Sequence, residues 1–285
     1  MSLAMKLGIF AKTFLRPTVQ ECFDAVVALG LRTVQFNFAC AGLPTLPDEL
    51  SAAKVDQIRQ AAEARQISIE AVSGTYNMIH PNRRVRSAEL RRLSVAAWGC
   101  NRLGGSLLTL CTGTRDPNNM WQHHADNASP AAWKDLLAAM HDAVRFADEF
   151  NVNLGIEPEP GNVVDSPFKA RRLLDEFKSP RLKIVIDPAN LLRPPDIPRQ
   201  RDVLDQAFAL LESDIGLAHA KELGSDGQAG DVAIGNGVID WGHYLSLLNQ
   251  VKFSGPVVMH GFTESASKSS VGFLQTVAKK AQILL

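Results

Sequence analysis

No stretch of about 18 consecutive apolar residues, the minimum for a membrane-crossing helix, occurs anywhere in the sequence. The opening MSLAMKLGIF also lacks the apolar core of a secretory signal. A membrane span and secretion are therefore not expected. Charge of one sign is missing too: Lys plus Arg number 30 and Asp plus Glu 30. That balance gives no global field of the kind that draws a protein to nucleic acid or to an anionic membrane. The four cysteines, Cys22, Cys40, Cys100 and Cys111, form no C-x-x-C pair. Neither a zinc knuckle nor a disulfide framework is indicated, and reduced thiols in a cytoplasmic protein are the expectation. Met1–Leu3 read as an expression scar, since Met5 stands as an equally good start just before the first β-rich run.

What is present is the composition of a packed globular protein, 46% apolar and 21% charged. Eight short β-rich runs recur: KLGIF (6–10), TVQFNF (33–38), SIEAVSG (68–74), SLLTLCTG (106–113), NLGIEP (153–158), LKIVID (182–187), IGLAHAK (215–221) and PVVMH (256–260). Helical patterns lie between them. The clearest is Trp133, Leu136, Leu137, Met140, Val144 and Ala147, at the spacing of one buried helix face. Eight strand–helix units within one chain of this length point to a (β/α)8 TIM barrel, an α/β fold, as a single domain over 1–285. A dinucleotide-binding open sheet is disfavoured, because the first strand-to-helix turn, IFAKTFLRPT, contains no glycine to let a pyrophosphate approach.

In a barrel the catalytic groups belong at the C-terminal ends of strands. Strand five ends in Glu157, strand six in Asp187, strand seven in His219 followed by Lys221, and strand eight in His260. Any one of these alone would more often be a solvated acid or a satisfied histidine. Two carboxylates and two imidazoles converging on one mouth instead supply oxygen and nitrogen donors for one divalent ion: manganese, cobalt, zinc, magnesium or iron.

GIEPEP around Glu157, IVIDPAN around Asp187, LAHAKE with His219 and Lys221, and GNGVIDW with Asp240 resemble the successive signatures of the xylose-isomerase-like TIM barrels. That superfamily includes sugar epimerases, isomerases and dehydratases, and also apurinic-site endonucleases. The resemblance implies Glu157, Asp187 and His219 as metal ligands. It also implies a proton abstraction next to a carbonyl through a metal-stabilised enediolate, on a small sugar, polyol or sugar phosphate. Two positions depart from the epimerase pattern, which has D-x-x-H after strand six and a glutamate on strand eight. Here Asp187-Pro-Ala leads to Asn190, and strand eight carries His260.

The catalytic set expected on this basis is Glu157 as base with His260 and Lys221. His260 is a replacement ligand, a replacement proton carrier or the mark of a barrel that has lost turnover. As a ligand it should have its second ring nitrogen held by a loop oxygen. The expected substrate contacts are Arg115, Trp121, Asn190 and Glu159. Trp121 either covers a sugar face or fills a contact in a homo-oligomer. Lys221 either reaches substrate oxygens or pairs with Glu157 or Asp187. The pair His123–His124 reads as solvated, and the five arginines of HPNRRVRSAELRR (80–92) as a solvated helix face. GNGVID (235–240) can offer amides to an anion, although Asp240 as a helix cap explains it with less. The partner expected is a small carbohydrate, with no nucleic acid and no membrane. A nuclease is disfavoured because strands one, two and four end in Phe10, Phe38 and Thr112. The remaining alternatives are a keto-polyol dehydratase and a sugar-binding barrel without turnover.

Overall fold

The computed structural model describes residues 4–285, so the reading of Met1–Leu3 lies outside the described residues. The strands are β1 (Lys6–Phe10), β2 (Thr33–Phe36), β3 (Ser68–Ser73), β4 (Leu107–Cys111), β5 (Asn153–Glu157), β6 (Leu182–Ile186), β7 (Ile215–Ala220) and β8 (Pro256–Met259). Each pairs in parallel with the next, and β8 pairs with β1 from Lys6↔Pro256 to Ile9↔Met259, which closes the barrel. The helices are α1 (Val19–Ala28), α2 (Ala52–Glu63), α3 (Arg83–Arg102), α4 (Pro130–Glu149), α5 (Pro167–Phe177), the short α6 (Pro188–Leu191), α7 (Gln200–Leu211), α8 (Trp241–Gln250) and α9 (Ser267–Lys280). No helix among the described residues is long and apolar enough to cross a membrane.

All eight expected strands form, with ends trimmed by up to two residues. The second stops early because the Asn37 side chain accepts from the Ala39 backbone N–H and starts a 3₁₀ turn over Phe38–Ala41. The α4 face forms around buried Trp133, Leu136, Met140 and Ala147, with Leu137 and Val144 at its half-buried edge. Its start is fixed by Ser129, which accepts from the Ala132 N–H, and by Pro130 at the first helical position.

Strand alternation explains where polarity sits. One parity of each strand faces the helices: Ile9, Phe36, Leu108, Ile156, Ile186, Ala220 and Met259 are all buried there. The other parity faces the lumen, where Ala71, Leu107, Val185, Leu217 and Val258 form a separate apolar plug. Gly155 makes room in that plug, since a Cβ there would lie 2.8 Å from both Leu107 and Val185 side-chain carbons. Two residues beyond the plug on the same face stand Ser73, Thr109, Asp187, His219 and His260. The alternation that packs the lumen therefore also delivers its mouth.

The loop after β7 is held by Glu222, which is wholly buried. Its carboxylate accepts from the backbone N–H groups of Leu223 (3.0 Å), Gly235 (2.7 Å) and Ile239 (3.1 Å) and from Trp241 Nε1 (2.8 Å). The GNGVID amides thus do face an anion, the protein's own. Asp240 caps α8 through the His243 N–H. Glu222→Ala strands four donors around a cavity. We expect it to destabilise the fold by more than about 3 kcal/mol, read as a lower denaturant midpoint; an unchanged midpoint would show that the loop holds itself.

Candidate metal and sugar site

The lumen-facing residues line an open cavity of about 750 Å³ at the C-terminal mouth. Glu157, His219 and His260 on its floor and Asp187 buried beside them each offer one ligand atom, all within 4.8 Å of one another. Two ligands opposite each other on an ion bound at roughly 2.0–2.3 Å are at most about 4.6 Å apart. The cluster is therefore already close to the size of one coordination sphere.

The donor chemistry makes a sharper test. His219 Nε2 lies 2.8 Å from Gln35 Oε1. The amide Nε2 points the other way, toward Ser73 Oγ (3.2 Å) and Thr109 Oγ1 (3.4 Å), which accept from it. With the amide so placed, His219 carries its proton on Nε2 and turns the lone pair of Nδ1 inward. That lone pair faces Glu157 Oε1 at 3.0 Å, an oxygen that already accepts from Asn190 Nδ2 at 2.9 Å. Two lone pairs so close require a proton or a cation between them. The site fits a divalent ion, and Gln35 is the outer partner that holds the imidazole for it.

Asp187 sits deepest. Its Oδ1 accepts from the Ala189 N–H, while Oδ2 meets Lys221 Nζ at 3.2 Å and His260 Nε2 at 3.3 Å. Burial opposes its charge, but Lys221 and His260 outweigh that and hold the carboxyl well below the usual range. Burial likewise opposes the Lys221 ammonium, which the surrounding carboxylates, Asp187 first, keep charged. Burial, with Asp187 adding to it, pushes Glu157 up to about 7. Burial and the nearby Glu157 push Glu159 up to about 8. Both imidazoles fall to about 4, chiefly by burial, so they are neutral and free to ligate at neutral pH.

The remaining expected residues divide. Glu159, Trp121 and Asn190 line the cavity. Asn190 is engaged at both ends, donating to Glu157 and accepting from Lys221 Nζ at 2.6 Å, so it orients the carboxylate. Lys221 pairs with Asp187, as one of its two readings had it. Arg115 is a correction: its guanidinium is turned out to the Ile79 carbonyl (3.0 Å) and Asp135 Oδ2 (2.7 Å) and does not line the cavity. Asp135 also binds Arg86 of the arginine run, and Arg92 pairs with Asp48. His124 caps a 3₁₀ turn by accepting from the Asp126 N–H. The loop oxygen expected on the second nitrogen of His260 is absent: Nδ1 has no protein partner among the described residues, and the ring leans on His219 with centroids 4.2 Å apart. At strand two the group facing the cavity is Asn37, with Phe38 buried behind it.

Two expectations follow. Gln35→Leu should lower metal affinity by about 10- to 100-fold, in the range typical of outer-shell partners; a titration showing parent affinity would remove Gln35 from the site. Binding an ion also displaces the Glu157 proton, so affinity should rise with pH through about 7 and flatten above about 8, where Glu159 has ionised as well. The imidazoles, already neutral, release nothing in that window. Calorimetry in two buffers of different ionisation enthalpy should find close to one proton released at about pH 6 and almost none at about pH 9. Equal release at both would contradict the assignment.

The chain matches no curated protein. Solved structures agree with its fold at low identity. The apo 3-keto-D-glucoside 4-epimerase YcjR of E. coli superposes with a TM-score of 0.76 at 16% identity, over 95% of this chain and 99% of its own. A Methylomonas D-allulose 3-epimerase in complex with D-allulose gives 0.71 at 14%, over 96% and 90%. The IOLI protein with a binding zinc atom gives 0.70 at 17%, over 98% and 96%. The family model described as xylose isomerase-like TIM barrel matches residues 23–277. With nearly the whole barrel inside that match, the chain belongs to the xylose isomerase-like TIM barrel family.

Proposed function

We propose that the protein is a metal-dependent isomerase or epimerase acting on a small sugar, polyol or sugar phosphate. The observation that carries this reading is the convergence of Glu157, Asp187, His219 and His260 on one point at the floor of the open cavity. A divalent ion held there supplies positive charge opposite an oxygen that becomes negative when a neighbouring C–H is deprotonated. The similar solved epimerases, one with D-allulose bound, support a carbohydrate as the substrate class.

Glu157 is the base in this scheme. Its Oε1 is fixed by Asn190, and no protein donor among the described residues reaches Oε2, which is free to take a proton. Lys221 positions this group through Asn190 and keeps Asp187 ionised. His260 has two alternative roles in this scheme: to return the proton to the neighbouring carbon or to the opposite face, or to stay on the ion as a ligand. Dehydration of a keto-polyol starts with the same abstraction, and Glu159 favours it as the second reading: its carboxyl, protonated below about 8, faces the cavity and can protonate a departing hydroxyl.

Glu157→Gln keeps the shape and cannot accept a proton. With the ion saturating, exchange of the substrate C–H into deuterated water should fall by about 100- to 10,000-fold while binding changes far less. Exchange at the parent rate would exclude Glu157 as the base, and a product lighter by one water would select the dehydratase. His260→Ala should weaken metal binding about 10-fold or more and His260→Glu should restore it; equal affinity in all three would make the histidine structural.

A further inference from the structure

Across the lumen from Glu157 the cavity has a second polar wall that proton transfer at Glu157 leaves unused. Lys12 follows β1 and Asn37 follows β2, two paired strands whose 3₁₀ turns, Ala11–Thr13 and Phe38–Ala41, pack on each other. Both residues line the cavity. Asn37 is only 2% exposed. Its Oδ1 is taken by the Ala39 N–H (2.9 Å) and Thr45 Oγ1 (3.2 Å), yet its Nδ2 has no protein partner among the described residues. A buried amide donor left open toward a cavity is one a ligand is expected to meet. Lys12 beside it forms no ion pair among the described residues.

Charge points the same way. Of the cations on the lining, Lys221 is matched by Asp187, and Arg193 is anchored to the carbonyls of Asn190 (2.8 Å) and Asp165 (3.1 Å). Among the described residues of the lining, Lys12 alone is both charged and loose. Glu157 and Glu159 are the carboxylates on the lining, and both stand on the β5 side. Once a divalent ion is counted, the cavity carries a positive excess that a neutral polyol would leave uncompensated.

Resting on the proposed function, we propose that the substrate is a sugar acid, whose terminal carboxylate is held by the Lys12 ammonium and Asn37 Nδ2 while its reacting carbon lies at Glu157. One ammonium and one amide N–H₂ match a group of one charge and two oxygens. A phosphate, with a second charge and a third oxygen, is normally cradled by free backbone amides. In the Phe38–Ala41 turn the amides are already engaged: Ala39 N–H by Asn37 Oδ1, Cys40 N–H by the Asn37 carbonyl and Gly42 N–H by the Ala39 carbonyl.

The test is calorimetric binding of D-ribonate, ribitol and ribitol 5-phosphate to the manganese-loaded protein, its Lys12→Met and Lys12→Arg variants, and the metal-free protein. Lys12 is exposed, so neither variant threatens the fold. Ribonate should bind about 10-fold or more tighter than ribitol, the usual scale for a charge-assisted hydrogen bond, and tighter than the phosphate. Lys12→Met should bring the ribonate-to-ribitol ratio close to one, and Lys12→Arg should keep it. A ratio unchanged in Lys12→Met would mean that the carboxylate goes to the ion, which overturns the proposal. So would a tighter phosphate, or no preference for ribonate. If manganese does not bind, the functional reading falls by itself, and the Lys12 dependence of ribonate binding is still read on the metal-free protein.

Discussion

Two lone pairs facing each other, on His219 Nδ1 and Glu157 Oε1 at 3.0 Å, are the constraint on which the site depends. Gln35 opposes a change of tautomer, because its carbonyl oxygen faces Nε2 at 2.8 Å and accepts the proton there. Asn190 prevents the carboxylate from swinging away. Something positive must lie between them. Below about pH 7 that is the Glu157 proton; in the metal-loaded protein we propose, it is the ion that has exchanged for that proton. His260 fits this arrangement as a neutral donor, which leaves the centre less negative than a glutamate would and so better able to stabilise an oxyanion.

The barrel supplies the rigidity this conflict needs. Glu157 and His219 stand on strands and Asp187 and His260 follow theirs directly, and the lumen-facing residues below Asp187, His219 and His260, namely Val185, Leu217 and Val258, belong to the apolar plug. The strands are fixed by pairing on both sides. Tyr244 adds a tie at the mouth, its hydroxyl lying 3.0 Å from the backbone carbonyls of both Ile186 and His219. The candidate ligand set is thereby held on or immediately beyond the sheet.

Much of this was legible in the sequence. Parallel strands covered on both faces read as short apolar runs, and the residue at which each run turns polar marks the mouth. That is why Glu157, Asp187, His219 and His260 were readable as a group, and Asp240 as a cap. Gln35 and Asn37 were readable in principle: Thr33, Gln35 and Asn37 alternate with Val34, Phe36 and Phe38, and polar residues on the lumen side of a buried strand need partners. The run TVQFNF hides them because its apolar half dominates. Arg115 was not readable. A loop residue has no periodicity to give its direction, and its choice of Asp135 depends on where α4 packs. Glu222 was hidden in the same way, since its donors come largely from a loop whose path the sequence does not state.

The central claim is tested most directly by a crystal structure of the protein soaked in manganese, with anomalous scattering collected at the metal edge. The predicted result is a single strong peak roughly 2.0–2.3 Å from Glu157, Asp187, His219 Nδ1 and a nitrogen of His260, with His219 Nε2 still on Gln35. A peak elsewhere, or no peak with the Glu157–His219 contact unchanged, would contradict it.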